Sequence, residues 1–260
     1  AHRLQARGVY CLESTRVSRF TSGLLETNRG VLRADNILRA TEGFTPSIEG
    51  LKRAVLPIYS MMVATEPLPA SVWDEIGLAQ RETFGDSRRV VIYGQRTADD
   101  RIAFGGRGGY YFGSKIKSVI PGNDPGFDMI AQTLRGLFPV LTDFEVTHRW
   151  GGPLGVNRHW RPSVTFDPKT GIGSAGGYVG EGVAATNLAA RILVDLVLDH
   201  DSEILSLPWV DDHAENWEVE PVRFLGARLL QYAAERADAS EAELGRPAPF
   251  WDGLFHRFVE

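Results

Sequence analysis

One cysteine, Cys11, in 260 residues excludes an intramolecular disulfide and any thiolate cluster for zinc or iron–sulfur. A reducing, cytoplasmic setting is the matching expectation. Lysine is almost as scarce, with Lys52, Lys115, Lys117 and Lys169 the whole set. The 28 Lys+Arg against 33 Asp+Glu leave a formal charge of −5, so no cationic groove for a phosphate backbone is expected and no nucleic-acid partner. The longest uncharged apolar stretch, 54–65, is broken by Pro57 and falls short of the ~20 residues that span a bilayer. No membrane partner follows from it, and Arg3 and Arg7 precede no apolar leader run. Also missing is the dinucleotide fingerprint GxGxxG between a first strand and a first helix.

What remains is an ordinary globular composition, 43% hydrophobic and 23% charged, in a length that fits one large domain or two modest ones. Glycine is the outlier. Its 28 copies exceed one residue in ten, against a usual ~7%, so their positions matter.

Residues 8–50 carry short β-forming runs, Val9 and Cys11 among them, separated by turns such as Asn28-Arg29-Gly30, and read as a meander with one further run over 31–40. The run 55–64 is apolar on both parities, which marks a strand covered on both faces in a sheet interior. Segments 89–97 and 101–107 flank the turn Ala98-Asp99-Asp100 with Val90, Ile92, Ile102 and Phe104 alternating. A hairpin follows, and the three strands are expected to form one antiparallel set. Asp124 and Pro125 suit an N-cap and first helical position, and Phe127, Ile130, Leu134 and Leu137 recur at helical spacing until Pro139. Phe144, Val146, His148 and Trp150 alternate with polar residues, so a strand enters the pair Gly151-Gly152 with Arg149 and Trp150 facing opposite ways.

The densest signal is 171–198. Gly171, Gly173, Gly176, Gly177, Gly180 and Gly182 lead into a run that is apolar except for Thr186, Asn187, Arg191 and Asp195, the last three of which form one i, i+4, i+8 stripe. The spacing predicts a buried helix with a glycine-lined start. Such an N-terminus presents free N–H groups and partial positive charge to an anion or an electron-rich ring. The competing reading is that the glycines only permit close strand–helix packing.

Five stretches in order resemble the C-terminal part of FAD-dependent oxidoreductases of the D-amino-acid oxidase and glycine oxidase superfamily, nearest the γ-glutamylputrescine-oxidoreductase-like branch. They are Arg33 through Phe44, Val63-Ala64-Thr65-Glu66-Pro67-Leu68, Ile102-Ala103-Phe104-Gly105-Gly106-Arg107, Arg149-Trp150-Gly151-Gly152-Pro153 and Gly177-Tyr178-Val179-Gly180-Glu181-Gly182-Val183. The resemblance implies an α/β (α+β) protein: the C-terminal part of a Rossmann-like FAD-binding domain plus a mixed or antiparallel-sheet substrate domain, without the N-terminal GxGxxG unit. Its expected divisions are a partial FAD-binding domain over 1–50, a substrate domain over 51–147, the second part of the FAD-binding domain over 148–200 and a helical extension over 201–260.

The resemblance also implies hydride transfer from an amine or amino acid to flavin N5, giving an imine that hydrolyses. Non-covalent FAD would lie against Val17 at its adenine, beside Ala40, Thr41 and Glu42, and return to the chain at Gly151 and Gly152. The ring's pyrimidine side would face Gly177, Gly180, Glu181, Gly182 and Val183. Trp150, Tyr59, Tyr93 and His148 are candidates for the pocket lining, each with core packing as the plain alternative. Amino-acid oxidising relatives place an arginine for the substrate carboxylate where Pro153 stands, which favours an amine or an acid group held elsewhere. Relatives with covalent flavin use a cysteine near Gly151-Gly152, where this chain has none; Cys11, in the first strand, reads as a buried small hydrophobe.

Ala1 is expected to open inside a helix. The chain then reads as the C-terminal part of a longer oxidase, as one of two chains, or as a flavin-free remnant that binds a partner through exposed Val9, Val17, Ile37 and Leu38. A missing N-terminal half or a homo-oligomer are thus the candidate partners besides the small-molecule amine or amino acid. The tail offers a helix over 221–237, with Val222, Leu225, Leu229 and Tyr232 on one face, and an aromatic-rich stretch over 250–258. Both are expected to cap the last sheet edge or to form an interface.

Overall fold

A computed structural model describes residues 2–117 and 119–259. Ala1, with the mid-helix start expected there, lies outside the described residues, as do Ser118, Glu260 and the side chains of Phe258 and Val259. Eleven strands and six α-helices are described. The strands are β1 Val17–Thr21, β2 Leu24–Thr27, β3 Gly30–Arg33, β4 Ile37–Arg39, β5 Leu56–Thr65, β6 Thr83–Phe84, β7 Ile92–Arg96, β8 Ile102–Tyr110, β9 Val146–Val156, β10 Ser163–Asp167 and β11 Ile172–Gly176. The helices are α1 His2–Gln5, α2 Ala70–Ile76, α3 Pro125–Leu137, α4 Gly182–Leu198, α5 Val222–Leu244 and α6 Pro249–Val259. They build a mixed α/β architecture with three sheets in the orders β1-β2-β3, β10-β11-β4 and β6-β7-β8-β5-β9.

The five-stranded sheet is antiparallel throughout. The two-sided apolar pattern of 55–64 becomes β5, paired with β8 on one side and β9 on the other, and the expected hairpin becomes β7 and β8. One face carries the core: Tyr59, Met61 and Val63 of β5 with Ile92, Ile102 and Phe104 pack against Phe127, Ile130 and Leu134 of α3. Asp124 caps α3 by accepting from the Gly126 N–H at 3.1 Å, with Pro125 at the first position. Strand β9 does not stop at Gly151-Gly152 but runs on through Gly155 to Val156, because β5 supplies pairing partners along its whole length.

The 31–40 run divides between two sheets. β3 closes the antiparallel meander, whereas β4 pairs in parallel with β11, and Ile37 is buried there rather than exposed as expected. Residue 11 also departs from expectation. Cys11 lies before β1, outside any strand, and is only partly buried, since no neighbouring strand pairs with the 9–12 segment.

Helix α4 packs on β10 and β11 through Ala185, Ala189, Ile192 and Leu193. Its burial is one-sided: Val183, Val194 and Leu198 are exposed, because the small sheet covers a single face. In α5 the expected stripe shares one face but does not cap the sheet, which leaves the interface alternative. The buried residues are Arg223, Ala233, Ala234 and Ala237, while Val222, Leu225, Leu229 and Tyr232 face outward. Small alanines bring that helix close to β8. Arg89 ties both tail helices to the start of β7 by pairing with Asp238 at 3.2 Å, Glu241 at 2.7 Å and Asp252 at 2.6 Å.

Candidate functional site

Residues opposite one another in an antiparallel ladder project from the same face, so the register sorts the candidate residues. Tyr93 lies opposite Gly105, Gly105 opposite Met62, and Met62 opposite Trp150. The next row joins Arg107, Ser60 and Gly152, and a third joins Ala64 to His148. Tyr93, Trp150 and His148 therefore share the face that α3 does not cover.

Tyr59 has the opposite parity. Its ring is wholly buried among the α3 contacts, edge-on to Tyr111 at 4.8 Å, and its hydroxyl accepts the Lys117 N–H at 2.6 Å. Burial pushes the Tyr59 phenol above its ordinary pKa, with the Lys117 bond working against that shift. This placement assigns Tyr59 to the core, the packing alternative, and away from the open face.

On that open face the Tyr93 hydroxyl is hydrogen bonded to Ser60 Oγ. A Cβ at Gly105 would strike the Tyr93 ring and Met62, whereas one at Gly152 would meet no atom within 4 Å. Glycine at 105 is thus required by packing, and glycine at 152 leaves clear space beside Trp150, itself 45% exposed. His148 is exposed, with Nδ1 2.9 Å from Thr147 Oγ1. Arg107 bridges this face to the glycine-rich turn by donating from Nη2 to the Val179 carbonyl at 3.2 Å. Burial pulls its guanidinium below the ordinary arginine pKa, opposed by Tyr93 and Glu181 nearby.

The turn itself has three left-handed residues in four, Gly177 (φ 77°), Val179 (φ 54°) and Gly180 (φ 104°). Its first backbone helical bond runs from Ala185 N–H to the Glu181 carbonyl, and Glu181 makes no side-chain cap. The N–H groups of Gly182, Val183 and the residue after them accordingly have no acceptor within the helix. Val183 is 96% exposed there, and a Cβ at Gly182 would meet no atom within 4 Å.

Glu42 fastens this turn to two other elements. It opens the 3-10 turn Glu42–Ser47 with φ 42°. One carboxylate oxygen accepts the Tyr178 N–H at 2.9 Å and the other accepts the Gly155 N–H of β9. Burial raises the Glu42 pKa, and the backbone donors Tyr178, Gly155, Gly177 and Gly43 hold that rise in check. Thr41 and Arg39 meet at Thr45 Oγ1, at 2.9 and 2.8 Å; Ala40 is exposed beside them.

The structure thus brings together Thr41, Glu42, Gly177, Gly180, Glu181, Gly182 and Val183 around one turn. Gly151 and Gly152 lie on β9, whose Gly155 is bonded to Glu42. Val17 stands apart, at the start of β1 in the meander, which reaches this region through the Glu49 N–H to Ser18 carbonyl bond of 2.8 Å. Arg107 and the Glu42 clamp carry no signal in composition or periodicity. A lone charge inside the side-chain-poor run Gly105-Gly106-Arg107-Gly108-Gly109 was the available hint. Among the described residues no three His, Cys, Asp or Glu side chains converge to hold a metal ion, and no helix is long and apolar enough to cross a membrane.

Residues 1–196 match the family described as FAD dependent oxidoreductase (DAO). Among curated proteins the chain is 32% identical over 185 residues to the probable oxidoreductase OrdL of Rhizobium meliloti, covering 70% of this chain and 40% of that protein. It is 25% identical over 201 residues to the gamma-glutamylputrescine oxidoreductase of Escherichia coli, covering 76% and 45%. The chain therefore spans less than half the length of these relatives. Its fold is similar to glycine oxidase from Geobacillus kaustophilus, at TM-score 0.61 and 18% identity over 78% of this chain and 53% of that one. It is equally similar, at TM-score 0.61 and 19% identity, to iminodiacetate oxidase from Chelativorans, over 82% and 55%.

Proposed function

The chain belongs to the DAO family of FAD-dependent oxidoreductases, and from that premise we propose that it forms the substrate-facing sheet and the ring-facing helix start of an enzyme oxidising a C–N bond of an amine or amino acid. The observation that carries the reading is the juncture at Arg107, which joins an open sheet face bearing Tyr93 and Trp150 to an uncapped helix N-terminus. The residues fit a flavin: Gly180 and Gly182 remove side chains where the ring would approach, and the first-turn N–H groups of α4 have unspent donors for an electron-rich edge. When bound, FAD supplies the hydride acceptor for the C–N oxidation.

The chain's own residues do the positioning. Trp150 and Tyr93 wall the open face, Gly152 leaves room beside Trp150, and Ser60 fixes the Tyr93 ring through its hydroxyl. Glu42 holds the Gly177 turn against β9, so the helix start keeps a fixed distance from the sheet. Non-covalent attachment is part of the proposal, since no cysteine stands near the turn.

The test is flavin content of the protein expressed from its full reading frame. Wild type should retain one FAD per chain after desalting and reduce a dye with members of an amine and amino-acid panel. Gly182→Glu should lose flavin while α4 persists, because a carboxylate at a helix start favours the helix and repels an anionic ring. A flavin-free wild type, or an unchanged flavin content in Gly182→Glu, overturns the proposal.

A further inference from the structure

Helix α5 carries a second pattern, independent of the sheet on which it packs. Val222, Leu225, Leu229, Tyr232, Arg236 and Ala239 follow one another at alternating steps of three and four residues, and every one of them is exposed. That is the a/d spacing of a coiled-coil seam. The helix is held to the molecule by its other side, through Arg223, Ala233, Ala234 and Ala237, so the seam is left for something else. Leu225 is 62% exposed. Tyr232 stands edge-on to Trp251 of α6 at 5.6 Å, and Phe250, 4.9 Å from Trp251 and itself exposed, prolongs the apolar surface.

We propose that this seam is a dimer interface, in which α5 packs antiparallel against α5 of a second copy of the chain. Charge selects that occupant. Arg228 and Glu235 each stand one residue before a seam position and flank the seam on one side, both exposed. Neither makes an ion pair among the described residues; their hydrogen bonds go to the Gln231 amide between them, at 3.4 and 2.9 Å. A two-fold axis between Gln231 and Tyr232 sets Arg228 opposite Glu235 of the partner subunit and repeats the pair by symmetry. The same axis puts Leu229 against Tyr232 of the partner subunit at the centre, then Leu225 against the aliphatic stem of Arg236 and Val222 against Ala239. Parallel pairing would instead leave Arg228 beside the buried Ala233 and Glu235 beside Ser240, with neither charge met.

The other flank of the seam, at Gly226 and Ala233, is partly or wholly buried, so a partner helix meets the seam from its charged side. Surface area points the same way. A compact monomer of 28.7 kDa exposes about 11,300 Å² by the usual scaling, whereas this chain exposes 15509 Å². The surplus of about 4,200 Å² is several times the ~800 Å² that each partner buries in a standard interface. The flavin-facing surfaces account for part of that surplus, and the remainder still leaves area for the α5 face. Because α5 begins at Val222, beyond the 1–196 family match, the contact belongs to the tail and not to the matched part of the chain.

The experiment is sedimentation equilibrium of the protein expressed from its full reading frame, over a concentration series at low ionic strength, where exposed ion pairs are least screened. Wild type should dimerise. Leu229→Glu should weaken the dimer at least about a hundredfold, since two central leucines leave the interface, with helix content by circular dichroism unchanged. Arg228→Glu and Glu235→Arg should each weaken it about tenfold by setting like charges opposite one another. The double variant Arg228→Glu/Glu235→Arg should recover wild-type association, a rescue that lost folding would not give. A wild type that stays monomeric at every concentration overturns the proposal, because the seam is then covered within the chain or by a different protein. So does a dimer that persists in Leu229→Glu, or a double variant that associates no better than the single ones. Flavin is not read in this experiment, so none of these outcomes bears on the oxidoreductase reading.

Discussion

Replacing Gly177 by alanine tests whether the turn before α4 is held by glycine or merely tolerates it. Gly177 sits at φ 77°, where a residue with a Cβ costs roughly 1–2 kcal/mol. The added Cβ would also overlap the Asn157 amide. Asn157 is 6% exposed and donates from Nδ2 to the Arg161 carbonyl at 2.8 Å. Displacing that amide strands buried polar groups at a cost of about 1–3 kcal/mol. Gly177→Ala should therefore destabilise by about 2–5 kcal/mol in total, read as a fall in urea midpoint at constant m. Asn157→Ala removes the obstructing side chain. The double variant should then be more stable than the sum of the single losses predicts by about 1–3 kcal/mol, the share assigned to the overlap. Losses that add to within about 0.5 kcal/mol would refute the overlap. A Gly177→Ala loss below about 1 kcal/mol would refute the backbone argument as well.

Tyr59→Phe removes the acceptor of the Lys117 N–H and should cost about 1–3 kcal/mol in urea unfolding while leaving flavin content and substrate KM alone; a raised KM with no stability loss would return the hydroxyl to the pocket. Glu42 predicts a pH slope. Its folded-state pKa is raised from the ordinary 4.5 by burial, so the native state holds the proton more tightly, and this contribution to stability is full below 4.5 and lost as pH rises through the raised value. Urea midpoints of wild type minus Glu42→Gln should fall as pH rises above the ordinary 4.5; a difference that is flat or rises contradicts the buried-carboxylate reading.

The elements legible in the sequence are those whose partners are local. Asp124-Pro125 and the spacing through Leu137 specify α3 because capping and amphipathicity are properties of one segment. The two-parity pattern of β5 announces cover on both faces before that cover is known. Features set by distant partners were hidden. Tyr59 and Tyr93 look alike in isolation, and only the register against β8 and β9 puts them on opposite faces. The outward stripe of α5 follows the same logic, since alanines win the buried side only because β8 comes close. Of the site, the glycine turn was readable from composition. The Glu42 clamp and the Arg107 bond to the Val179 carbonyl were not, because each depends on atoms more than 70 residues away along the chain.

Those separations govern the order in which the molecule can form. The two bonds of the Glu42 carboxylate close loops of 113 and 136 residues, and β4 finds β11 across a similar span. Helix α3 and the β7–β8 hairpin need only short closures. Long closures cost chain entropy before their contacts repay it, so local units are expected to assemble early and the clamp late. A chain stalled partway would hold native helices and hairpins yet lack the seat for its cofactor, making ligand competence a reporter of the last folding step.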